Sequence, residues 1–215
     1  MDNIVNTKIF NILLLVTVLG EFILPWVLKY FYRGYNSKTM VMSALGSPES
    51  PVRAIYNIWL VWLGVFLFIA GYVFFMEAKV ISSVLAVLLW VSIGVFAVGA
   101  GILSGIFSVN ESKDVVTTAS KIHGAGAAIG FMFLLLFPLF SALIAFKMGD
   151  KLQGVICIIA FVLAFVTFGC FIMGDKEELQ KTIFAYEGLW ERLTLFFMYI
   201  PFIYKAVVNL FVVTV

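Results

Sequence analysis

The sequence predicts an all-α, polytopic integral membrane protein folded as a six-helix transmembrane bundle in one domain. Two observations carry this. Of 215 residues, 63% are hydrophobic and only 12% are charged, about half the charged share of an ordinary soluble domain. The apolar residues also fall into long continuous runs, so lipid rather than a protein interior must solvate most of them.

The spans are expected at about 9–32, 54–76, 80–104, 121–146, 152–173 and 191–213. Each approaches the ~20 apolar residues that cross a ~30 Å hydrocarbon layer. The runs do not alternate and are about twice a strand's length, which excludes a β-barrel. The first run continues past Glu21 and Pro25 to Trp26 and Tyr30 with no small-residue cleavage pattern behind it, so it reads as a span rather than a cleaved leader. Cys157 and Cys170 share one apolar run and read as small core residues.

The connections are unequal. Glu77–Lys79 joins spans two and three, and Lys147–Lys151 joins spans four and five; the other three are long and polar. With six spans the long loops share one membrane face, where a site is expected. Lys8, Lys79, Lys147, Lys151 and Lys205 lie on the opposite face, whereas Lys29, Arg33, Lys38, Arg53, Lys113, Lys121, Lys176, Lys181 and Arg192 lie on the loop face. The positive-inside rule would place the loops in the cytoplasm. Asp175, Glu177 and Glu178 dilute that signal, so the charges are compatible with either orientation. A net charge of +2, scattered along the chain, gives no footprint for nucleic acid.

Four places carry polar chemistry. In the first long loop, Gly46, Pro48 and Pro51 break regular structure ahead of span two, and Arg53 and Asn57 lie one turn apart on a helical face. They read either as a cap with a snorkelling arginine or as part of a site. Span four opens around His123, the only histidine, which with two lipid-depth cysteines makes no ordinary metal site. His123 is either a hydrogen-bonded structural group or a ligand or proton group. Gly126 and Gly130 form a GxxxG step, and Ala97, Gly101 and Gly105 form a small-residue row on span three; close packing of spans three and four is expected there.

At the start of span six, Glu187, Glu191 and Thr194 share a helical face and Arg192 points away from it. The acids suit the positive end of a helix. Arg192 does not, unless it pairs with Glu187, Glu191 or a bound anion. Glu21 falls mid-span, roughly 18 Å along the helix from residue 9 at the usual rise. It is expected to face the bundle interior, as an interhelical hydrogen-bonding group or as a proton or cation site. No Walker loop, GxSxG elbow or HExxH motif is present. The sequon Asn110-Glu111-Ser112 would matter only in a secretory lumen.

Three of these places, in order, resemble the DUF998 family of bacterial and archaeal six-span membrane proteins. They are Leu45-Gly46 with Pro48, Pro51 and Tyr56-Asn57; Gly105-Ile106-Phe107 ahead of His123; and Glu187-Gly188 with Trp190-Glu191-Arg192. Ser108 departs from the pattern, which usually has proline there. The family is in turn distantly similar to DRAM-type proteins and to proteins that remodel GPI-anchor lipid. The resemblance implies a shared polar cluster of Arg53, Asn57, His123, Glu187, Glu191 and Arg192, and it supplies no activity.

The expectation that follows is a multi-pass protein of the cell membrane, with membrane lipid as partner and no cofactor, that binds a lipid headgroup or other amphiphile on its loop face. Trp190, Tyr186 and Tyr56 suit that interfacial zone. Two alternatives stand beside it. One is a lipid-modifying enzyme using His123, a glutamate and a loop serine (Ser43, Ser47 or Ser50); the other is a small transporter using Glu21.

Overall fold

The computed structural model describes residues 7–110 and 116–211. The sequon therefore lies partly outside the described residues. Among those described there is no strand, and six helical spans are long and apolar enough to cross a membrane.

Span one is α1 (Lys8–Leu28), capped by the Thr7 side chain and continued by one tight turn over Lys29–Phe31. Span two is α2 (Arg53–Ala78). Span three begins as α3 (Ser83–Phe96), widens into a π-helical stretch over Ala97–Leu103 and closes in the short α4 (Ser104–Ile106). Span four is two helices, α5 (Thr118–Leu134) and α6 (Phe137–Met148). Spans five and six are α7 (Lys151–Gly174) and α8 (Glu187–Phe211).

The division of span four was not expected, and Pro138 supplies the reason. It stands in the first turn of α6, where its missing N–H costs nothing, but it cannot continue the ladder of a helix arriving from α5. The two halves then take different neighbours. α5 packs mainly on span three, whereas α6 packs mainly on α7, with smaller contacts to α3 and α8. The remaining spans close a ring in which α8 meets α1, α1 meets α2 and α2 meets α3. Because α7 packs mainly on α6 and α8, the wall is thin between α5 and α7 in its loop-side half.

Packing of spans three and four is close, as expected, but through a different row. Gly99, not Gly101 or Gly105, meets Gly126, backbone against backbone, and Gly130 lies against Ala100. Gly101 and Gly105 face α2 instead, at Gly64 and Asn57. The π-helical stretch is the cause. Its wider turn rotates residues 97–103 away from the positions a 3.6-residue period assigns. Small residues on both sides admit the close approach that lipid-embedded helices use in place of a hydrophobic drive.

The centre of the bundle is aromatic. Phe202 stacks on Phe74 and Phe137, and Tyr199 meets Phe22 and Phe96 edge-on. Many exposed large apolar side chains, such as Ile58, Phe165 and Val166, lie on the outer surface of the ring.

Candidate functional site

A cavity of about 330 Å³ lies inside the loop-side half of the bundle. Its polar lining comes from Glu21 on α1, Tyr56 on α2, Ser104 on α4, His123 on α5, Glu191 on α8 and Ser43 in the first long loop. Its remaining wall is apolar. Gly124, Ala127 and Ala128 of α5 face Phe168, Phe171 and Ile172 of α7 across the thin part of the ring. Gly124, Ala128 and Ile172 are exposed on the outer surface as well, so the cavity opens sideways, where lipid would lie.

Each polar group is held by its own local chemistry. Glu21 is 3% exposed, and the Trp59 indole N–H donates to its Oε2 at 2.6 Å. Gly20 makes this geometry available, since any Cβ there would occupy the space of the indole ring. Glu191 is 7% exposed, and its Oε2 accepts from the backbone N–H of Met42 at 2.6 Å. A carboxylate on α8 thereby pins the tight turn Met42–Gly46 of the first loop. The backbone of Phe107, where span three has unwound, takes a hydrogen bond from His123 at 2.9 Å. A carbonyl can only accept, so Nδ1 carries a proton; the Ser104 backbone also lies against the ring, and in the neutral tautomer Nε2 is the acceptor nitrogen. Ser104 is tied back to the Gly99 carbonyl at 3.1 Å, filling the ladder that the π stretch disturbs.

Arg192 lies outside the cavity wall. Its Nη1 donates to the carbonyls of Ser37 at 2.8 Å and Gly188 at 2.6 Å, and its Nη2 donates to the Tyr35 hydroxyl at 2.6 Å. The Tyr35 hydroxyl in turn donates to the Val41 carbonyl at 3.2 Å. Gly188 is also pressed against the Ser37 and Met40 carbonyls, where a Cβ has no room. Arg192 is thus the clamp that fixes the first loop over the bundle. Burial pushes the Tyr35 phenol up to about 12, against the opposing pull of the Arg192 charge and with a further push from Glu191.

Arg53 and Asn57 form a third group. Arg53 Nε and Asn57 Nδ2 both donate to Ser108 Oγ at 3.2 Å, which joins the start of α2 to the residue after Phe107. Among the described residues, Asn57 Oδ1 is buried without a hydrogen-bond partner. Glu187 stands at the first position of α8, half-buried beside Gly174. The seven site residues expected from the sequence therefore separate. Glu21, His123 and Glu191 line one cavity, Arg53 and Asn57 converge on Ser108, Arg192 anchors the first loop, and Glu187 stands apart at the start of α8. Ser43 lines the cavity, whereas Ser47 and Ser50 do not. Ser104 in the cavity wall and Trp59 behind it, donating to Glu21, carry no sequence signal of their own; Trp59 follows Asn57 by two residues but sits on the face turned to α1. No group of three residues able to hold a metal ion occurs among the described residues.

The Phe107 carbonyl on His123, the Gly188 contact that seats Arg192, and the Gly46–Asn57 contact all join residues from three separate stretches of chain. A family model, described as a protein of unknown function (DUF998), matches residues 15–208 and so takes in all three stretches. The chain belongs to the DUF998 family. No curated protein and no solved structure matches it.

Proposed function

We propose that this DUF998 protein binds an amphiphile of the cell membrane, with the apolar chain between α5 and α7 and the head among Glu21, Tyr56, His123 and Glu191. The observation that carries this reading is the shape of the cavity, which is open sideways through an apolar cleft and polar at its inner end. Its volume of about 330 Å³ lies within the range of small-ligand sites.

Gly124 gives the test. It lines the cleft, and a Cβ built there meets nothing within 4 Å. Gly124→Phe should therefore fold while obstructing the cleft. Native mass spectrometry of the purified protein should show a defined amphiphile on the wild type and its loss from Gly124→Phe. Equal retention by both proteins would overturn the reading.

A further inference from the structure

The amphiphile reading leaves open the charge of the head, and the donors and acceptors facing the cavity settle which chemistry suits it. Glu21 and Glu191 each commit Oε2 to one N–H and leave Oε1 without a hydrogen bond. His123 commits Nδ1 and presents Nε2 as an acceptor. Tyr56 is 2% exposed, lines the cavity, and makes no hydrogen bond through its hydroxyl. The lining contains no lysine or arginine. The two nearest guanidinium groups are turned elsewhere, Arg192 to the Ser37 and Gly188 carbonyls and Arg53 to Ser108. An anionic head would meet two carboxyls and no cation. A head that brings several N–H donors and a positive charge would satisfy both free carboxyl oxygens and the imidazole nitrogen together.

We infer that the cavity selects a long-chain primary amine, its ammonium held between Glu21 and Glu191 with His123 Nε2 and the Tyr56 hydroxyl completing the shell. This inference rests on the amphiphile reading and adds the headgroup class to it. It also accounts for the clamp around Arg192. Hydrogen bonds to Ser37, Gly188 and Tyr35 hold that guanidinium out of the cavity lining, so its charge acts on Glu21 and Glu191 only from behind the wall.

The test uses four ligands with the same hexadecyl chain: the amine, the alcohol, the carboxylate and the phosphocholine. Each is titrated into the detergent-purified wild type, with complexes counted by native mass spectrometry. The amine is expected to bind at least about tenfold more tightly than the carboxylate, a difference of one opposed ion pair. Glu21→Gln with Glu191→Gln keeps an oxygen acceptor for Trp59 and Met42 and removes the negative charge. That variant should bind amine and alcohol alike. Equal binding of all four ligands by the wild type, abolished by Gly124→Phe, would overturn the amine assignment and leave the amphiphile reading standing. Preference for the carboxylate would do the same. Binding of none, or binding that Gly124→Phe leaves unchanged, would overturn both. The wild-type ranking decides the matter even if the double variant fails to fold.

Discussion

Arg192 places a charged side chain at the start of a helix, where the dipole disfavours it, and the structure shows what offsets the cost. Its donors are shared among the Ser37 loop carbonyl, the Gly188 carbonyl in the first turn of its own helix and the Tyr35 hydroxyl, so the guanidinium is met by dipoles rather than by a direct carboxylate partner. Tyr35 should then report on the clamp. Its phenol is raised from an ordinary value of 10.0 to about 12 in the folded protein. A group with a raised folded pKa contributes stability that is present below its unfolded value and is lost as pH climbs through the folded one. Thermal melts of the wild type should therefore fall between pH 10 and 12 by more than those of Tyr35→Phe. At neutral pH, Tyr35→Phe should itself be less stable by about 2 kcal/mol, the usual size of one hydrogen bond to a charged donor. Parallel melting curves for the two proteins across that alkaline range would show that Tyr35 carries none of this dependence.

At the scale of elements, α5 holds two glycines with opposite duties. Gly126 is pressed against the Gly99 backbone, where a Cβ would collide with Gly99 at 2.9 Å from its carbonyl oxygen. Gly124, half a turn away, faces the cleft with open space. Gly126→Val should separate α5 from span three and lower stability by about 2 kcal/mol or more, an overpacking cost with no flexible neighbour to absorb it. Gly124→Val should leave stability within about 1 kcal/mol of wild type and weaken amphiphile binding. Melting curves of the two variants side by side check the pair, and similar curves would refute the assignment. This is also where legibility in the sequence ends. Six spans could be read from hydropathy because lipid imposes a length on each. That Glu21 faces inward followed from the cost of a carboxyl in hydrocarbon. Which small residues meet could not be read, because the period changes at Ala97–Leu103 and nothing in a run of Ala, Val and Gly announces it. The division of Arg53, Asn57 and Arg192 from Glu21, His123 and Glu191 was equally hidden. It depends on hydrogen bonds to Ser108, marked in the sequence only as a departure from the family pattern, and to the carbonyls around Ser37, which carry no mark of their own.

At the scale of the whole molecule, the remaining question is which compartment the loop face meets. The positive-inside rule weighs Lys and Arg near the span ends, and its signal here depended on whether loop-side cations are occupied by other duties. Arg53 and Arg192 are, by Ser108 and by the first loop. On the opposite face Lys205 is occupied too, paired with Glu77. Setting these aside, Lys29, Arg33, Lys38, Lys121, Lys176 and Lys181 on the loop face still outnumber Lys8, Lys79, Lys147 and Lys151 on the other. Lys29 also packs over Trp26 and Tyr30, a cation and two rings placed at the loop-side end of span one where an interface would hold them. The loop face should therefore be cytoplasmic, which puts the cavity in the inner half of the bilayer and makes the inner leaflet the source of its ligand. Single cysteines replace Lys38, Lys181, Lys79 or Lys151 in a chain whose Cys157 and Cys170 have been changed to alanine, and intact cells are treated with a membrane-impermeant maleimide. Lys79→Cys and Lys151→Cys should label at once, and Lys38→Cys and Lys181→Cys only after the membrane is opened. The reverse pattern would turn the molecule over and make the outer leaflet the source, with the interior of the site unchanged, because Glu21, His123 and Glu191 are fixed by contacts that do not depend on which face is inside.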